Sequence, residues 1–223
     1  MAIPRTTVLV LMGVTVVSAL SVTSLPVFNI YEKWLTAHPV PTRIATATTL
    51  ALAGDALAQR RELAYSSRRT FALVATESLY RGLMLQPILL WVIAHFHGSL
   101  LRSLQPFGIS AALAVVLERV LFQTFVVAPI VYYPLYFAIT GPLQGLSLKE
   151  TLHRARTQYG TLFGFNLCFW FPVQTVQFAV VPERFKVPFI CLCSVIWNFI
   201  LSTLSGSVAK FRTVRTESHR RSE

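Results

Sequence analysis

The sequence predicts an all-α protein, a polytopic transmembrane helix bundle of four to five spans with an extra hydrophobic helix at its N-terminus. Three observations point there. Of the 223 residues, 54% are hydrophobic and only 13% are Asp, Glu, Lys or Arg, about half the charged share of an ordinary soluble domain. The apolar residues gather into six stretches, each close to or above the roughly 20 residues needed to cross the hydrocarbon core. The basic residues collect mostly between those stretches. A disordered chain would be poor in aliphatics and rich in charge. Collagen or a long coiled coil would show a G-X-Y or heptad period. Neither pattern is present.

The first stretch, Thr6–Phe28, carries the single cation Arg5 ahead of it and small residues at Val17, Ala19 and Ser21. That suits a secretory signal peptide, whereas a mitochondrial presequence should be rich in Arg; a retained membrane anchor fits best. The second, Val40–Gln59, sets Ala47, Ala51, Gly54 and Ala58 on one helical face, a seam along which another backbone approaches closely. The third, Thr70–Phe96, exceeds the membrane core and should tilt. The fourth, Phe107–Thr140, is too long for one straight span and contains Pro129 and Pro134, so a kink or break is expected near Ala128. Thr161–Val181 and Val187–Gly206 complete the set. The organisation that follows is an N-terminal anchor or targeting segment at 1–28, a helical bundle at 29–207 and a basic tail at 208–223.

Twenty Lys and Arg against nine Asp and Glu give a net charge of +11. If all six stretches span, thirteen of the cations fall on one side, four on the other and three inside the spans. This is a strong positive-inside asymmetry, with both termini on the cytoplasm-like side, the matrix for a mitochondrial inner membrane. The basic excess therefore addresses anionic headgroups, and the expected partner is the lipid bilayer, not nucleic acid. Cys168, Cys191 and Cys193 lie in apolar runs without zinc spacing and should pack as small hydrophobes. His95 and His97 lack a third ligand, so no metal is expected. No phosphate-binding glycine loop, HExxH or GxSxG occurs, so neither an enzyme nor a cofactor is expected.

The stretches contain Arg43, Asp55, Glu77, Arg81, Glu118 and Arg119. Each charge costs about 2.5–3.5 kcal/mol at the centre of a membrane helix, so these residues should turn inward. Glu77 and Arg81 are spaced i,i+4 in the favourable order, and Arg119 shares a face with Gln123. Two readings stand side by side: a polar lumen for an ion or small solute, or a buried salt-bridge network that fixes helix register. Asp55, at the small-residue seam, reads as a carboxylate hydrogen-bonded across it.

Tyr31, Leu35, His38-Pro39, Thr42, Gly54-Asp55 and Gln59, with Ala128-Pro129, Gly145-Leu146-Ser147, Trp170, Gln174, Gln177-Phe178, Val181-Pro182, Lys186, Trp197-Asn198 and Leu201-Ser202, form a spaced pattern. It resembles the Mpv family of organelle integral membrane proteins, which includes the twenty-two-kilodalton peroxisomal membrane protein and mitochondrial inner-membrane relatives. The likeness runs over roughly Tyr31–Ser202. It departs where the family's Trp-Pro reads Trp170-Phe171, its Asn-Phe reads Gln177-Phe178, its Arg reads Lys186 and its Asp-Gln reads Gln123-Thr124. The resemblance implies channel-like passage of small solutes supporting mitochondrial homeostasis. It contributes Asp55, Trp170, Gln174, Gln177, Trp197 and Asn198 to the lining or gating set, which Glu77, Arg81, Glu118, Arg119 and Gln123 join from the charge pattern of the apolar stretches. It places the chain in the mitochondrial inner membrane, with the peroxisomal membrane as alternative. Assembly as a homo-oligomer or in a larger membrane complex is expected, and a non-transporting structural or assembly subunit of an inner-membrane complex is the competing function.

Overall fold

The computed structural model describes residues 26–60 and 65–206, and among these every regular element is helical. The anchor expected at 1–28 lies outside them except for its last three residues, and the tail expected at 208–223 lies wholly outside. A helix the sequence reading did not separate, α1 (Pro26–Ala37), comes first and stops at His38. Pro39 then opens α2 (Pro39–Gln59), a position where proline's missing N–H costs nothing.

Four rods follow. The rod α3 covers 67–95, capped by the Ser66 hydroxyl, which accepts from Arg69 N at 3.4 Å. Then α4 (Ala111–Leu143) starts on Ser110, whose hydroxyl accepts from Leu113 N at 3.2 Å. At α5 (Leu148–Ala179) Ser147 and Glu150 form a reciprocal capping box, which satisfies two orphan amides at once. The last rod, α6 (Lys186–Leu201), runs on into a π-helical turn, Ser202–Gly206. Bonds between the start of each helix and the end of the one before it make α2 to α6 run alternately up and down. The end of α2, the start of α3, the 143–148 connection and the end of α6 thus share one end of the bundle, and the 95–111 and 179–186 connections share the other.

Of the kink or break expected near Ala128, a break does not occur, and the helix is locally irregular there. The fourth stretch is one continuous helix of 33 residues, about 50 Å long at the usual rise, and Pro129 is absorbed in a π-helical segment, Gln123–Tyr132. Widening the helix there removes the need for the hydrogen bond that proline cannot donate. A second π segment, Ser78–Met84, precedes Pro87 in α3. The fifth stretch also differs, since α5 begins at Leu148, well ahead of Thr161, and carries its first turns beyond the apolar run. Among the described residues, two helices are long and apolar enough to cross a membrane, Ala111–Leu143 and Lys186–Leu204.

The small-residue seam on α2 packs as expected. Ala47, Ala51, Gly54 and Ala58 are all buried, and a Cβ placed on Gly54 would sit 2.7 Å from the Val195 carbonyl oxygen on α6. Only glycine allows that approach. Tyr132, Tyr133, Phe169 and Trp170 are core residues, none exposed by more than 7%, so they do not belong to an interfacial belt.

Candidate functional site: a buried polar chamber and two charged ends

At the middle of the bundle Glu77 of α3 is fully buried. One carboxylate oxygen takes the Nε–H of Arg81 one turn on. The other accepts the Tyr132 hydroxyl of α4 at 2.9 Å, and that hydroxyl accepts Trp197 Nε1–H of α6 at 3.2 Å. The Arg81 guanidinium lies 5.0 Å over the Trp170 ring of α5, where the ring's negative face meets the cation. Four helices thus meet on one ion pair. Beside it is a chamber of about 30 Å³ lined by Arg81, Gln123, Tyr132, Asn166, Trp170, Gln174 and Trp197, among others, enough for one or two water molecules. Gln123 Nε2 and Asn166 Oδ1 are buried with no protein partner, whereas Gln174 accepts the Thr124 hydroxyl at 3.2 Å. The π segments of α3 and α4 face this chamber, one supplying Tyr80 and Arg81 and the other Gln123, Ala128 and Tyr132.

Asp55 stands apart, at the end shared by the start of α3 and the end of α6. Its carboxylate accepts Arg69 Nε–H at 3.2 Å, Gln59 Nε2–H at 2.7 Å, the Thr70 hydroxyl at 2.6 Å and the Ser202 hydroxyl. Arg69 also donates to Ser202 Oγ at 2.9 Å. Asp55, Arg69 and Ser202 are each at most 1% exposed, so α2, α3 and α6 are tied at one sealed point. Arg69 counted as a loop cation in the sequence. So did Arg154, which is also fully buried, donating to Gln158 Oε1 at 3.2 Å and lying 5.9 Å over Tyr136 and 5.7 Å over Phe137. The charge asymmetry drawn from loops therefore included two cations that belong to the interior. Their signal was proximity: Arg69 adjoins Thr70, and Arg154 follows the capping box by one turn of helix.

Glu118 and Arg119 occupy the opposite end. Glu118 accepts the backbone N–H of Gly98 at 2.7 Å and of Leu101 at 2.8 Å, which holds the loop after α3. Arg119 donates to the carbonyls of Phe96 at 3.1 Å and Ile93 at 3.2 Å. Of the residues singled out in the sequence, the structure gathers Glu77, Arg81, Gln123, Trp170, Gln174 and Trp197 around the chamber. It sets Asp55, Glu118 and Arg119 at the two ends. Gln177 and Asn198 are buried elsewhere with unpartnered amides. Arg43, expected among the inward charges, has a buried Nε without a partner and joins none of these groups. His95 and His97 bond the carbonyls of Trp91 and Ala94, each at 2.8 Å.

The segment that builds much of this interior, residues 141–202, matches the Mpv17 / PMP22 family. Over that segment the chain is similar to the family. The Mpv17 / PMP22 relatives include the mitochondrial inner membrane protein Mpv17 of Danio rerio, 25% identical over 77% of this chain and 93% of the relative. Protein sym-1 of Neurospora crassa is 29% identical over 79% of this chain and 97% of its own length. A shorter match, 31% identical over 41% of this chain and 30% of the relative, is to the vacuolar membrane protein YOR292C of Saccharomyces cerevisiae. No solved structure matches the chain. The Mpv17 relatives, matched over 93% of their length, are named as mitochondrial inner membrane proteins, and the chain is a membrane protein of that organelle.

Proposed function

We propose that the chain is a non-catalytic permeability protein of the mitochondrial inner membrane, a channel-like bundle held in its closed conformation with the Glu77–Arg81 chamber on the solute path. The observation that carries this reading is the pair of orphaned amides, Gln123 Nε2 and Asn166 Oδ1, with Gln123 and Asn166 both lining a polar cavity inside an otherwise close-packed bundle. Each buried polar group left unpaired costs about 1–3 kcal/mol, a cost that water in the chamber would relieve. A purely structural network has no need of such a space.

The π segments of α3 and α4 supply the moving parts. A π-helical turn bonds i→i+5 in place of i→i+4 and is frequent at functional sites. Sliding it past Tyr132 would rotate that hydroxyl away from Glu77 and Trp197 and enlarge the chamber. Glu77 would then face the path with its charge, favouring cations. Planar-bilayer recordings of the purified protein test this directly. Discrete openings are expected, with cation preference reduced in Glu77→Gln. Silence at all voltages from protein shown to be folded and inserted would defeat the reading.

The second reading, a non-transporting structural or assembly subunit, is favoured by the sealed Asp55–Arg69–Ser202 knot, where every charge is matched. A stoichiometric larger complex recovered on gentle extraction, together with electrical silence, would establish it.

A further inference from the structure

Away from the chamber, at the end of the bundle where α3 and α5 finish and α6 begins, two cations lean on one aromatic ring. The Arg119 guanidinium carbon lies 6.0 Å from the Phe178 centroid and Lys186 Nζ lies 5.9 Å from it, so the two charges are at most about 12 Å apart. Neither makes an ion pair among the described residues. Lys186 Nζ is spent in part on helix-end carbonyls, Val181 O at 2.6 Å and Gln177 O at 3.3 Å. An ammonium has three donors and a guanidinium five, so the third Nζ–H of Lys186 and the Nη1 group of Arg119 are left without a protein acceptor.

Two like charges held together in a poorly hydrated place repel each other. The nearby carboxylates soften this repulsion through their fields but make no ion pair with either cation. Glu118 has both oxygens committed to the amides of Gly98 and Leu101. Glu183, whose field reaches both cations, is exposed and beyond ion-pair distance. The surroundings also favour one kind of anion. Phe96, whose carbonyl holds Arg119, contacts Trp91 at 6.1 Å and Phe122 at 4.7 Å. Trp91 is 48% exposed, and tryptophan half out of a bundle belongs at headgroup level. We infer that Arg119 and Lys186 form a site for a phosphate-bearing anion, with the Trp91 ledge fitting the headgroup and upper acyl chain of an anionic phospholipid.

The test uses the full chain in a neutral detergent, with its unfolding temperature followed as short-chain phosphatidylglycerol, short-chain phosphatidylcholine or inorganic phosphate is added. Phosphatidylglycerol should raise the melting temperature saturably, and phosphatidylcholine should not. Removing one cation in Lys186→Gln or Arg119→Gln should weaken apparent binding roughly fivefold, as expected for one charge near a headgroup. Lys186→Arg should retain it, and Glu183→Gln, at an exposed carboxylate without a bond of its own, should tighten it. An equal response to inorganic phosphate alone, lost in the same variants, would uphold the anion site and assign it to free phosphate. A response that phosphatidylcholine reproduces, or that Lys186→Gln and Glu183→Gln both leave unchanged, would overturn the proposal. Should Arg119→Gln fail to fold because it also ties the end of α3, the Lys186 and Glu183 variants decide alone.

Discussion

Arg69 Nε and Asp55 Oδ1 are 3.2 Å apart, and the side chains are only 1% and 0% exposed. Fourteen positions separate them along the chain, yet through this contact the end of α2 meets the start of α3, and Ser202 brings in the end of α6. Removing one partner leaves the other charged and buried, which costs about 3–5 kcal/mol. Arg69→Met and Asp55→Ala should each lower the melting temperature of the detergent-solubilised protein sharply. The double variant should recover much of the loss, and a double-mutant cycle that shows simple additivity would refute the coupling.

Gly54 lies where a Cβ would be 2.7 Å from the Val195 carbonyl and 2.8 Å from Asn198 Cβ. Backbone on the far side cannot yield as a flexible side chain does. Gly54→Ala should therefore destabilise the α2–α6 contact by about 1–3 kcal/mol, the usual cost of overpacking. Gly160→Ala on α5, where nothing stands within 4 Å, should be neutral or stabilising by up to about 1 kcal/mol. Thermal unfolding of the two variants side by side gives the comparison.

Tyr132→Phe deletes the hydroxyl that links Glu77 and Trp197. A carboxylate oxygen and an indole N–H would be left unpaired in the core, at a cost of about 1–3 kcal/mol. If the hydroxyl also latches the closed chamber, open probability in planar bilayers should rise while stability falls. Trp197→Phe keeps the ring contact with Phe169 but loses the same N–H, and it should move both readouts in the same direction.

Cys191 and Cys193 are both fully buried on α6, and Cys168 on α5 is partly accessible. A thiol closed off from solvent does not reach a reagent in water. N-ethylmaleimide should leave Cys191 and Cys193 unmodified in the folded protein and label both after denaturation, as peptide mass spectrometry would show. Labelling of either in the folded, inserted protein would mean that α6 opens away from the bundle.

Several features were set by sequence alone. An apolar run of about 20 residues has no stable alternative to a helix in lipid, because every backbone amide must be satisfied internally, so α2, α3, α4 and α6 fall close to the expected stretches. The alignment of Ala47, Ala51, Gly54 and Ala58 follows from helical geometry, and the i,i+4 pairing of Glu77 with Arg81 needs no tertiary information. Spacing also sufficed for the family pattern from Trp170 to Ser202.

Other features depended on how the helices are brought together. Whether a cation near a helix end snorkels to water or turns inward is a choice between similar local geometries, decided by what the neighbouring helix offers. Arg69 turns in because Asp55 and Ser202 are there, and Arg154 because Thr140 and the Tyr136 and Phe137 rings are there. Pro129 became a π-helical segment and not a break because α4 is packed on both sides of it, so widening the helix costs less than severing it. For the same reason the six charges within the apolar stretches do not form one continuous path. Helix spacing along the chain fixes which face a residue occupies, but only the packed bundle sets its depth, and depth divides Asp55, the Glu77–Arg81 pair and the Glu118–Arg119 pair among two ends and a middle.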